Sequence, residues 1–187
     1  MIIGITGKSG AGKGTVAEYL KQRGFVYHSL SDVLRSELKA RRQAENLPNL
    51  IALGNKLRTA GGPGVLGQKI AEAIKNNNEE NSLVDSIRNP AEIMELKQAF
   101  NGFKLIAVDA PLAMRHQRIS RRGRPGDEIS LEEFTKLDAK ELKSNDSNAQ
   151  QILECIRLAD YTVVNEGSLE ELQQKVKDML VDIGENS

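Results

Sequence analysis

Ile2 to Thr6 is a short, largely β-branched run that leads directly into Gly7-Lys8-Ser9-Gly10-Ala11-Gly12-Lys13-Gly14-Thr15, after which Val16, Ala17 and Leu20 place apolar residues on one helical face. Strand, glycine loop and helix in that order constrain this chain more than any other feature. Only a glycine-rich segment can curl until several backbone N–H groups point inward at a polyphosphate, and the helix behind it adds the positive end of its dipole. Lys13 supplies a mobile charge. In this context the G-x-x-x-x-G-K spacing is a specific signature of phosphate binding, which falls to Gly7, Ser9, Gly10, Ala11, Gly12, Lys13, Gly14 and Thr15. Gly14 stands where such loops commonly carry a Mg²⁺-holding hydroxyl, so the hydroxyl comes one residue later, at Thr15, and direct ligation by the loop is weakened.

The rest of the chain repeats the alternation. Strand-like runs at Phe25 to His28, Ser82 to Ile87, Phe103 to Asp109 and Tyr161 to Val164 are separated by stretches of helical periodicity, which predicts a parallel sheet covered by helices on both faces. Pro48, Pro63, Pro90 and Pro111 are each expected at the start of a first helical turn, and Ser130-x-x-Glu133 and Ser168-x-x-Glu171 read as capping boxes. The interval from 30 to 80 holds no strand and breaks near Asn46, Gly61 and Asn76, so three helices are expected there as an acceptor-binding insertion after the second strand. Gly123 to Glu128 is a short polar loop suited to a lid. All of this fits one domain over residues 1–187.

With 26 Lys+Arg balanced by 26 Asp+Glu, the chain lacks the cationic surplus of a nucleic-acid binder, and any basic site must be local. It has one Cys, no apolar run approaching the roughly 20 residues that span a bilayer, and no leader ahead of its first strand. A cytoplasmic protein without nucleic-acid or membrane partners is expected, with its oligomeric state left open.

Several charged residues sit where this fold places ligands. Asp85, leaving the carboxyl end of the third strand, can organise waters around Mg²⁺, with Arg88 close behind it. Asp32 and Arg35 open the helix after the second strand. Arg58, beside Gly61-Gly-Pro-Gly64, is a further candidate for contact with an acceptor, because glycines let a backbone approach a ligand. Arg115, Arg118 and Arg122 recur at one helical face, and a polyphosphate is the simplest partner for that repulsion. Cys155, between Ile152 and Ile156, reads as core.

The loop Gly7 to Thr15 resembles that of adenylate kinases and other nucleoside monophosphate kinases. Ser29-Leu-Ser-Asp-Val-Leu-Arg35 is similar to their S-T-G-D-x-L-R segment, with Ser31 in place of the glycine, and Asp85-Ser-Ile-Arg88 to their D-G-F-P-R, with one residue fewer between acid and arginine. Asp160 to Gly167 resembles the A-D-x-V-x-N-x-G segment of dephospho-CoA kinases. End to end, the order of motifs is similar to small prokaryotic P-loop proteins related to both groups. The resemblance implies a P-loop α/β fold with five parallel strands in the order 2-3-1-4-5, ATP as donor and Mg²⁺ as its metal. It also implies roles: Thr15 at the α-phosphate, Arg35 and Arg88 on the acceptor phosphate, Arg118 stacked on adenine, Arg122 on the donor phosphates and Asn165 near the adenine.

On this reading Lys13, Arg88, Arg122 and Asp85 carry catalysis, and a nucleoside monophosphate is the leading acceptor. Two alternatives stay open: phosphorylation of a hydroxyl with Asp32 as base, and a nucleotide-dependent switch with no small-molecule acceptor.

Overall fold

The computed structural model describes residues 1–123, 128–142 and 146–185. Its sheet has five parallel strands, β1 (Ile2–Gly7), β2 (Val26–Ser29), β3 (Ser82–Asp85), β4 (Lys104–Asp109) and β5 (Tyr161–Val164), in the order β2-β3-β1-β4-β5. This is the architecture and order expected. Side chains alternate between the two faces, as the pleat requires. Ile3, Ile5, Leu83, Ile106 and Val108 pack against helices α1 (Lys13–Lys21) and α9 (Leu169–Glu185). Ile2, Val84 and Leu105 face a second cluster built from α2 (Leu30–Ala40), α3 (Leu47–Gly61), α4 (Val65–Asn76) and α5 (Pro90–Ala99). The order closes with α6 (Leu112–Arg122), α7 (Leu131–Leu142) and α8 (Ile152–Arg157).

Three helices follow β2 as expected, and they are committed to the core. In α4, Leu66, Gly67, Ile70, Ala71 and Ile74 are buried, and a Cβ at Gly67 would lie 2.8 Å from the backbone oxygen of Glu92 in α5. Bulk at that position would part the two helices.

β3 ends two residues earlier than the apolar pattern suggests. Ser86 turns out of the strand with φ +66°, a left-handed conformation that costs a non-glycine residue about 1–2 kcal/mol. Pro48 and Pro90 lie in first helical turns, whereas Pro111 is the N-cap of α6 and Pro63 precedes the Gly64 cap of α4. Both expected capping boxes form, Ser130 with Glu133 and Ser168 with Glu171. Of the expected lid, residues 124–127 lie outside the described residues.

Cys155 is fully buried in the α2–α5 cluster, and burial pushes its thiol up to about 12, helped by the nearby Glu92 carboxylate. A thiol without thiolate is unreactive. In the folded protein Cys155 should therefore resist iodoacetamide at pH 8 and react fully only in denaturant, a difference read directly from the intact mass. Among the described residues no helix is long and apolar enough to cross a membrane.

Candidate active site

The loop between β1 and α1 is fixed from behind by side chains of distant elements. Gly12 takes φ +104°, and a Cβ there would lie 2.2 Å from Asn165 Nδ2, at the end of β5. That amide donates to the Ala11 carbonyl at 2.9 Å, while Asn165 Oδ1 and its backbone oxygen accept from Arg118 Nη2 at 3.2 and 3.1 Å. Arg115 holds the other side. Its guanidinium donates to the Ser9 carbonyl at 3.3 Å, and a Cβ at Gly10 would lie 2.6 Å from the Arg115 backbone oxygen. The curled loop is thus packed against α6 and β5 before any ligand arrives, a form of preorganisation.

Lys13 Nζ donates to the carbonyls of Gly7 and Lys8, each at 2.8 Å, so its ammonium spans the loop mouth. Lys8 pairs with Asp109 at the end of β4, 2.9 Å away. Asp85 ends β3 with both carboxylate oxygens oriented: Oδ1 accepts from the Ser86 amide at 2.6 Å and Oδ2 from the Tyr27 hydroxyl at 2.9 Å. Burial first, and then the Asp85 charge, pushes the Tyr27 phenol up to about 12, so it stays a donor.

Loop and carboxylate open into one cleft of about 780 Å³. Gly7, Ser9, Gly10, Gly12, Lys13, Gly14 and Thr15 line it, with Arg118 and Arg122. Arg35, Asp85 and Arg88 line the same cavity. Residues from four separate parts of the chain thus converge on one cavity. Arg88 Nη1 is held by Gln150 at 3.0 Å, and Arg35 is braced by Asp32 at 2.8 Å.

Five residues go elsewhere. Arg58 does not reach the cleft: it is 3% exposed and gives Nε and Nη2 to one oxygen of the fully buried Glu92, at 3.1 and 2.7 Å. Arg115 does not offer itself to a polyphosphate, because Asp138 of α7 takes its guanidinium bidentately at 2.6 and 2.7 Å, both residues being buried. Ala11 and Asn165 are buried in the loop's own support, and Asp32 lies outside the cleft lining.

Glu92 was not foreseen as a site-shaping residue. Its second oxygen accepts from the amides of Arg88 and Asn89 at 2.9 and 3.0 Å, so one buried carboxylate fixes the backbone that carries Arg88. Burial pushes this carboxyl up against the pull of Arg58 and the two amides. Asn89-x-x-Glu92 is itself a capping-box spacing, and that signal was available in the sequence. Tyr27, Ser86 and Ile152 also line the cleft. Tyr27 reaches Asp85 as a diagonal neighbour, since Leu83 is its partner in register.

The site can therefore hold a polyphosphate in a cage of amides, a lysine and arginines, and present a second anion to it. The described residues contain no cluster of three or more acidic, His or Cys side chains that could cage a metal. Asp85 and Thr15, both on the cleft, instead suit Mg²⁺ held through water and substrate phosphates, the common arrangement for this ion.

A family model described as "AAA domain" matches residues 3–152. A UPF0200 protein of Sulfurisphaera tokodaii is 34% identical over 179 residues, covering 96% of this chain and 95% of the relative. Among solved structures, shikimate kinase from Aquifex aeolicus superposes with a TM-score of 0.59 at 17% identity, over 100% of this chain and 98% of that one. Dephospho-CoA kinase from Campylobacter jejuni gives 0.53 at 18%, over 97% and 96%. At such identities the likeness is one of fold, a P-loop kinase-like fold. By the sequence matches, over the reach of the AAA-domain model and nearly the whole length of the relative, the chain belongs to the UPF0200 family of AAA-domain proteins.

Proposed function

We propose that this protein is an ATP-dependent phosphotransferase that moves the γ-phosphoryl group to a small phosphate-bearing acceptor, with nucleoside monophosphates the class the sequence resemblance favours. One observation carries the reading: the glycine loop with Lys13 and the arginines Arg35 and Arg88 line a single cavity with Asp85. Such an arrangement suits two anions brought end to end, and the kinase-like fold supports it.

The chemistry asks little of a side-chain base. An acceptor phosphate oxygen, already anionic near neutral pH, bonds to the γ-phosphorus as the bridging bond to the β-phosphate breaks, and ADP leaves with that electron pair. No proton need move. Lys13 and Arg122 neutralise charge spreading over the transferred group, and Arg35 and Arg88 hold the nucleophile in line; positioning and charge compensation supply most of the acceleration in such transfers. Mg²⁺, when bound with the nucleotide through Asp85 and Thr15, would add charge neutralisation on the donor phosphates. Asp32, turned to Arg35 and outside the cleft lining, is less well disposed to act as base for a hydroxyl acceptor.

Incubation with ATP, Mg²⁺ and a panel of nucleoside monophosphates, sugar phosphates and dephospho-CoA tests this reading. A doubly phosphorylated product with ADP is expected. Release of inorganic phosphate with every acceptor unchanged would contradict it and favour a nucleotide switch.

A further inference from the structure

The acceptor half of the cleft has a composition that bears on what it can distinguish. Nucleobases are recognised on a flat apolar or aromatic slot with edge-on hydrogen-bonding groups. In this fold the helices after β2 are the segment available to build one. They do not. Among the described residues none from 36 to 84 lines the cleft. The reason is in the packing: α4 spends its apolar face on the core, its glycines press against α5, and Arg58 of α3 is sunk onto Glu92. Asn55 Oδ1, a buried side-chain atom of α3 without a hydrogen-bond partner, also lies outside the cleft lining.

What remains on the acceptor wall is polar and short. Ser29, Ser31 and Ser86 line the cleft together with Arg35 and Arg88, and Ile119 and Ile152 are its aliphatic residues. The aromatic ring on this wall, Tyr27, has its hydroxyl committed to Asp85 and so offers a face but no free hydrogen-bonding group to tell one base from another. Ser86 is the most telling. It holds a left-handed backbone conformation that glycine would adopt without strain, and Ser29 Oγ donates to its Oγ at 3.3 Å. A residue other than glycine kept in such a backbone conformation at a cleft points to use of its side chain.

We infer that the acceptor is read through its phosphate and its sugar-like hydroxyls, and that its base is not read. This deepens the phosphotransferase reading and rests on it. Arg35 and Arg88 take the phosphate, the serine hydroxyls take vicinal hydroxyls, and a base, if present, extends past the wall into solvent. Sites built to hydrogen-bond a substrate group reject analogues lacking it by orders of magnitude, whereas a site without such groups cannot.

The test is a set of binding titrations on the full chain with its donor site saturated by a non-hydrolysable ATP analogue and Mg²⁺. The probes are AMP, GMP, CMP, UMP, ribose 5-phosphate and inorganic phosphate. Expected are Kd values for the four nucleotides and ribose 5-phosphate within about tenfold of one another, with inorganic phosphate weaker by more than that. A single nucleotide bound about a hundredfold more tightly than ribose 5-phosphate would overturn the inference while leaving phosphotransfer intact. Inorganic phosphate binding as tightly as ribose 5-phosphate would overturn the role given to the hydroxyls. Binding of none of the six would overturn both this inference and the acceptor assignment beneath it.

Discussion

Lys13→Ala is expected to slow phosphoryl transfer by roughly 10²–10³-fold while leaving the fold intact. The ammonium sits 2.8 Å from the carbonyls of Gly7 and Lys8, over the mouth of the loop, where it can follow charge onto the transferred group. No other lysine lines the cleft among the described residues, and Arg118 and Arg122 approach from α6. The loop itself is held by Asn165, Arg118 and Arg115, none of which needs Lys13. Thermal unfolding of the variant should therefore match the parent within a few degrees while its rate collapses. A variant that melts early as well would place Lys13 in the scaffold.

Arg58→Met is expected to act in the opposite sense, with a large loss of stability. It leaves the Glu92 carboxylate with no exposed surface and no counter-charge, and breaking a buried pair from one side costs about 3–5 kcal/mol. For a domain of this size that corresponds to a fall in Tm of roughly 6–20 °C. The double variant Arg58→Met/Glu92→Leu should recover part of the loss by removing the stranded charge. Recovery should be incomplete, because the amides of Arg88 and Asn89 lose their acceptor. Calorimetry of the three proteins checks this, and equal stability of Arg58→Met and parent would refute the scaffold role.

These two residues also mark what could be read from the sequence. The loop was legible because its chemistry is local: strand, glycines, lysine and helix are contiguous. The strands were legible because short β-branched runs bounded by turn residues are specific, and the serine caps because their partner is three residues away. The partners of Arg58 and Arg115 were not. Glu92 is 34 residues from Arg58, and Asp138 is 23 from Arg115. An arginine on an amphipathic pattern looks the same whether a ligand phosphate or a buried carboxylate awaits it. Only the packing of α3 and α5 around α4, and of α7 on α6, decides which. Arg35 and Arg88 belong to the other class: each follows a strand that ends at the cleft, so sheet order delivers them there.

In the proposed phosphotransferase the cleft has two ends with separate owners, a loop for the donor and Arg35 with Arg88 for an acceptor anion. The most direct test of this is to titrate Arg88→Ala with ATP and, separately, with ribose 5-phosphate in the presence of the ATP analogue. Loss of a charged hydrogen bond of about 1.5–3 kcal/mol predicts acceptor binding weakened by roughly 10- to 150-fold, with ATP affinity unchanged. Equal weakening of both ligands, or an acceptor affinity that does not move, would contradict the account.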